Sequence, residues 1–268
     1  MPFDPRYEVL PASQQKLWPD LAPVKDLGFT LYGGTAIALR QGHRTSVDFD
    51  FFSDLPLDKA ALFEAMPFLA TEDVEVLQDT ENTFVALVRP PAGRPLLGTP
   101  AEEFGDGRVK VSFFGTLNIG RVGAPELTSD GTLLVAHPRD LVATKLKALF
   151  DRVELKDYAD LHELLEKDGQ SLRQGLADAA AMWPGFLPDH CLLALGYHDS
   201  PELKELGEAR SAALCRHIKR AEREIAQDGL GQAPRSNASL GLSPKAMKSE
   251  LQATMAAVRS AREDREGQ

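Results

Sequence analysis

Apolar residues in SQQKLWPDLAPVKDLGF (residues 13–29) recur at mixed helical spacing through Leu17, Leu21, Val24 and Leu27, and Gly28 favours a stop there. A short strand is expected at 29–32. Gly33 and Gly34 break it, and TAIALRQ (35–41) reads as a short helix that Thr35 can cap. Strand character returns at 47–52, a helix is expected near 57–66, and alternating positions mark 74–77 and 83–88 as strands. Residues 90–107, rich in Pro and Gly, read as loop, after which RVKVSFFGTLNIG (108–120) is strand-like again.

From Pro138 the pattern becomes helical. RDLVATKLKALFDR (139–152), KDYADLHELLEKDG (156–169) and SLRQGLADAAAMW (171–183) are three successive helices, with further helices expected at 201–206 and 208–227. In the last of these Leu214, Ile218, Ala221 and Ile225 form one apolar stripe. Beyond Asp228 a small, polar, Pro/Gly-bearing stretch reads as a flexible linker before a closing helix at 245–264. The fold class expected is α+β, a mixed sheet with flanking helices followed by a helical C-terminal domain. The boundaries expected are 1–137 for the α+β core, 138–228 for the helical domain, and 229–268 for the linker and closing helix.

Composition adds exclusions rather than a function. The chain has 268 residues, 43% hydrophobic and 26% charged, as an ordinary globular protein does. No apolar run approaches the roughly 20 residues of a membrane span, and the N-terminus lacks a basic start followed by an apolar stretch, so a cytoplasmic protein without a membrane partner is expected. The net charge of −10 argues against non-specific coating of nucleic acid, which requires many Lys and Arg on phosphates. A local basic cleft is compatible with that charge, and so is a polyanion held through a divalent cation. Cys191 and Cys215 have no nearby Cys or His in metal-ligand spacing and read as reduced packing residues. His137, His162, His190, His198 and His217 are scattered and read as structural or surface groups.

The chemistry concentrates in YGGTAIALRQGHRTSVDFDFF (32–52). In a strand Asp48 and Asp50 point one way while Val47, Phe49 and Phe51 point the other. Two carboxylates this close repel unless a cation sits between them, and Mg²⁺, or Mn²⁺, suits a pair of oxygen donors. Upstream, a glycine turn opening a helix offers free backbone N–H groups to a phosphate, with the Thr35 hydroxyl as a further donor. A phosphate cradle and a metal pair separated by one short helix suit a nucleoside triphosphate chelated to metal.

GGTAIALRQGHRTSVDFDFF resembles the first motif of the AbiEii/AbiGii-type nucleotidyltransferase toxins, a branch of the DNA polymerase β-like nucleotidyltransferase superfamily. HPRDLVATKLKALFDRVELKDYADLHELL resembles that family's second block, in which a lysine and an aspartate follow on consecutive helices. Together the blocks cover roughly residues 29–165. The resemblance implies a nucleotidyltransferase-like core over 1–137 and a helical domain that completes the cleft. It gives Gly33, Gly34 and Thr35 the triphosphate, with Asp48 and Asp50 binding metal. It also implies the toxin half of a toxin–antitoxin (abortive infection) pair, with tRNA or another cellular RNA or protein as acceptor and a cognate antitoxin as partner.

The second block can be read physically as well. Around its first helix Lys145 falls on the apolar side near Leu141, Val142, Leu146 and Leu149, whereas Lys147 falls opposite, in solvent. A lysine there needs an anion or a path to water, so Lys145 is the better phosphate contact. Asp157 lies within the next helix's stripe and Asp160 at its edge; either could assist the metal site or act as a base, or both could be first-turn acids favoured by the helix dipole. His43, Arg44 and Ser46 could position phosphate or tie down their loop. The superfamily's third carboxylate, expected on a later strand, is absent from RVKVSFF, which offers Ser112. The function expected is metal-dependent transfer of a nucleoside monophosphate from an NTP to an acceptor hydroxyl. The alternatives are a small-molecule acceptor, as in antibiotic-modifying transferases, and a degenerate nucleotide-binding interaction module.

Overall fold

The computed structural model describes residues 3–103, 105–117, 119–196 and 205–231. These form two compact units, one of residues 3–117 with 125–136, the other of 119–124 with 137–231. The closing helix expected at 245–264 and most of the one expected at 201–206 lie outside the described residues. Among the described residues no helix is long and apolar enough to cross a membrane.

The first unit is built on one seven-stranded mixed sheet. Its strands are β1 (Thr30–Tyr32), β2 (Asp48–Phe52), β3 (Glu75–Thr80), β4 (Thr83–Val88), β5 (Val109–Phe114), β6 (Glu126–Leu127) and β7 (Leu134–Val135), in the order β3-β4-β5-β2-β1-β7-β6. The pairs β2/β5 and β1/β7 are parallel and the rest antiparallel. The chain's aromatics decide which face is packed. Phe49, Phe51 and Phe113 are fully buried, with Phe51 stacked on Phe113 at 5.2 Å and Trp18 against Phe49 at 6.1 Å. Aromatic side chains on period-two positions supply most of the apolar area that holds such a sheet together.

The helices of this unit are α1 (Ala12–Leu17), α2 (Gly33–Gln41) and α3 (Lys59–Ala65). The expected 13–29 helix is shorter than its apolar spacing suggests: α1 gives way to a 3-10 stretch at Trp18–Lys25 that contains Pro19 and Pro23. Proline has no N–H to donate and clashes with the preceding turn, so an α-helix cannot continue through it. Val47, expected on the packed side of the strand, lies outside β2 and is 40% exposed. Residues 75–77 of the expected 74–77 strand fall in β3, an edge strand exposed at all six positions. β6 and β7, two residues each, are too short to leave a periodic signal.

The second unit is helical, with α4 (Pro138–Asp151), α5 (Leu155–Glu166), α6 (Leu172–Met182), α7 (Pro188–Gly196) and α8 (Glu208–Asp228). α7 was not anticipated, because its run of Cys191, Leu192, Leu193 and Leu195 has no amphipathic period. α4 is central and packs on α5, α6 and α7, while α8 packs on the same three. Gly175 of α6 lies so close to Val142 of α4 that a Cβ there would collide with it. The start of α4 is tied to α6 by Arg139, whose Nε donates to Asp178 Oδ2 at 2.8 Å. Asp140 accepts from the backbone N–H groups of Val122 (2.7 Å) and Gly123 (3.3 Å), pinning residues 119–124 to this unit. Burial pushes its carboxyl up to about 7, against the lowering effect of those two N–H groups and Arg121.

Candidate active site

β2 alternates half-buried and buried positions, so Asp48, Asp50 and Phe52 share one face while Phe49 and Phe51 fill the core. The neighbouring strands complete the row. Tyr32 of β1 is the register partner of Asp50; on the other side, Lys110 of β5 is opposite Asp48 and Ser112 is opposite Asp50. Parallel partners project from the same face. Lys110 Nζ accordingly lies 3.6 Å from Asp48 Oδ2, in an ion pair where both side chains keep more than a third of their surface in solvent. Such a pair contributes little stability.

Gly33 and Gly34 are demanded by this arrangement. Gly33 sits at φ +72°, which L-residues rarely adopt, and a Cβ there would come within 2.7 Å of Asp50 Oδ2. Gly34 lies beneath the guanidinium of Arg44, where a Cβ would overlap Nη2. The turn is glycine because a carboxylate and a guanidinium approach its backbone. Arg44 also donates from Nη1 to Thr45 O at 3.0 Å.

The role expected of the Thr35 hydroxyl needs correcting. Thr35 does not cap the helix: α2 begins at Gly33, its N-cap is Tyr32, and that residue's side chain accepts no capping hydrogen bond. The Thr35 hydroxyl is buried and donates to the Asp48 carbonyl oxygen. Having one proton, it accepts from Ser46 Oγ, 2.7 Å away. Both hydroxyls are therefore used up inside the protein, so neither is a spare donor for phosphate. Ser46 ties its loop to α2, and Thr35 ties α2 to β2. What the turn offers an anion is the backbone N–H groups at the start of α2.

Asp48 and Asp50 make a two-carboxylate oxygen set, and no group of three His, Cys, Asp or Glu side chains converges elsewhere among the described residues. Hard oxygen donors on one strand face fit Mg²⁺ or Mn²⁺, which take one or two carboxylates and complete their shells with water and phosphate.

In the helical unit Lys145, Asp157 and Asp160 are brought together. Lys145 Nζ donates to Asp157 Oδ1 at 2.7 Å and sits 2.8 Å from Asp160 Oδ2, with both carboxylates fully buried. Arg152 Nε reaches Asp157 Oδ2 at 3.2 Å. The anions that Lys145 needs on the apolar side are thus the two aspartates of α5. Asp160, expected at the stripe's edge, is as deeply buried as Asp157, and neither behaves as a simple first-turn acid. Two of the three N–H donors of the ammonium are directed at these carboxylates and one is left over. Lys147 pairs with Asp151 on the outer side of α4. Lys110 is the site residue that sequence reading missed; its signal was the alternation of Lys110, Ser112 and Phe114 within one strand.

A family model described as the nucleotidyl transferase AbiEii toxin of type IV toxin–antitoxin systems matches residues 20–261, nine-tenths of the sequence. The chain belongs to this family. The family is one of nucleotidyl transferase toxins of type IV toxin–antitoxin systems. An uncharacterised protein of Aquifex aeolicus strain VF5 is 30% identical over 148 residues, covering 54% of this chain and 62% of that relative's length. Two solved structures are similar overall. A candidate nucleotidyltransferase of H. pylori has TM-score 0.49 at 19% identity, covering 80% of this chain and 93% of its own. MenT4, a nucleotidyltransferase toxin of Mycobacterium tuberculosis H37Rv, has TM-score 0.49 at 13% identity, covering 91% and 90%. The AbiEii match spans both blocks, the YGGT…DFDFF segment and the HPRDL…DLHELL segment.

Proposed function

We propose that this AbiEii-family enzyme transfers a nucleoside monophosphate from an NTP to an acceptor hydroxyl, using a divalent cation, Mg²⁺ or Mn²⁺, on Asp48 and Asp50. The observation that carries this reading is the convergence of those two carboxylates with the Gly33–Gly34 turn, which Asp50 touches directly. When bound, the metal stabilises negative charge on the transferring phosphoryl group and on the attacking and leaving oxygens. The first-turn N–H groups of α2 and the Arg44 guanidinium hold the triphosphate in place. Within the helical unit Asp157 and Asp160 fix the Lys145 ammonium in position. Full burial and a shared lysine suit the two aspartates to positioning rather than to collecting a proton from a bulky acceptor.

The toxin family supports a cellular RNA, tRNA foremost, as acceptor, and a cognate antitoxin as partner, both in the cytoplasm. The test is pyrophosphate release and label transfer from each of the four α-labelled NTPs with metal and total bacterial RNA, native chain against Asp48→Ala/Asp50→Ala. Label in RNA that disappears in the double variant supports the reading. Pyrophosphate release equal in both proteins removes it, and label on a small cationic acceptor alone replaces the RNA acceptor.

A further inference from the structure

The row of side chains across β2 and β5 contains a cation of its own. Lys110 stands opposite Asp48 and Ser112 opposite Asp50, so two carboxylates, one ammonium and one hydroxyl share the face. Ser112 is 1% exposed, and its Oγ has no hydrogen-bond partner among the described residues. A pair of divalent ions about 3.5–4 Å apart needs carboxylate oxygens to bridge them and further anionic oxygens to complete each shell. The place beside Asp50 from which a further carboxylate would come is filled by an uncharged hydroxyl. The place beside Asp48 is filled by a positive charge. Lys110 offsets the charge of Asp48, and its ammonium repels a second divalent ion there.

We propose that this site takes one divalent cation with its triphosphate, and that Lys110 supplies the fixed positive charge a second ion would otherwise bring. This rests on the assignment of Asp48 and Asp50 as metal ligands. Lys110 acts through Asp48 and through the field at the phosphates, as a positioning residue. With its ammonium half in solvent it can exchange Asp48 for a phosphate oxygen by rotation of its stem.

The experiment is equilibrium dialysis of the full chain against Mn²⁺ and inorganic triphosphate, which avoids assuming a base, with bound Mn²⁺ counted and its spin state read by electron paramagnetic resonance. The native chain is expected to saturate at one uncoupled Mn²⁺. Lys110→Ala is expected to bind Mn²⁺ about tenfold more tightly, with Lys110→Arg like native. Lys110→Ala/Ser112→Asp is expected to take a second ion, with a spin-coupled signal. Should the buried aspartate prevent folding, the count in the native chain and the affinity of Lys110→Ala still decide. Two coupled ions in the native chain would overturn the proposal, as would Lys110→Ala with unchanged affinity. Asp48→Asn/Asp50→Asn separates the levels: if it binds Mn²⁺ as the native chain does, the metal assignment itself fails, whereas a native pair of ions lost in this variant leaves that assignment standing.

Discussion

The strand face and the helical unit hold the same ingredients, two aspartates and a lysine, in opposite settings. Asp48, Asp50 and Lys110 lie half in water, with the lysine 3.6 Å from one carboxylate. Asp157, Asp160 and Lys145 are buried, with the ammonium within 2.8 Å of both acids. In the helices Arg152 adds a second cation on Asp157, so the buried carboxylates are balanced by Lys145 and Arg152. On the strand Lys110 pairs with Asp48 at longer range, with both side chains partly in solvent. Removing a charge is therefore expected to act mainly on transfer at the strand and mainly on stability in the helices.

The largest effect that sharpens this contrast is on the strand. Asp50→Ala should lower label transfer by about ten-thousandfold, roughly 5 kcal/mol of transition-state stabilisation, while the unfolding free energy in urea stays within about 0.5 kcal/mol of native. A large loss of stability would break the comparison. In the helices Lys145→Ala should destabilise by about 3 kcal/mol or more in urea unfolding, because it strands two buried carboxylates. Lys145→Met/Asp157→Leu/Asp160→Leu should recover most of that stability without recovering transfer. A triple variant that transfers normally would make the trio purely structural.

Smaller again is Gly33→Ala, expected to cost about 2 kcal/mol through its positive φ and to slow transfer by displacing the Asp50 carboxylate. A separate effect, spread over several pH units and small at any one pH step, is a slope of stability with pH. Asp140 titrates at about 7 in the fold against 3.8 ordinarily, so the folded chain holds an extra proton between about pH 4 and 7. Its contribution to stability falls as pH rises through that window, by up to about 1.4 kcal/mol per unit, and Asp140→Asn should remove that component when unfolding is compared from pH 4 to 8.

The facing of Asp48 and Asp50 could be read from sequence because a strand's period of two depends only on its own residues. The same holds for Lys145 on the apolar side of α4. What could not be read were relations between elements. Lys110 becomes a neighbour of Asp48 only once β5 lies parallel to β2 in one register, and the sequence shows alternation but not pairing. Asp160 shares Lys145 with Asp157 because α5 returns against α4 across a turn whose angle no periodicity encodes. The mistaken role for the Thr35 hydroxyl has the same origin: the carbonyl and the serine that occupy it come from residues 46–48, brought there by the turn after α2. The prolines that convert the end of α1 into a 3-10 stretch were visible in the chain and were outweighed by its apolar spacing.

The Ser46–Thr35–Asp48 chain of hydrogen bonds has a mechanical meaning. It ties the start of α2 to β2 through two hydroxyls and one carbonyl, and so fixes the span between the proposed phosphate end and the proposed metal end. A triphosphate is a short object of nearly constant length, and a grip of fixed span measures it. Valine at position 35 would keep the shape of the bolt and lose its thread, leaving a site that still has both ends but no longer a calibrated distance between them.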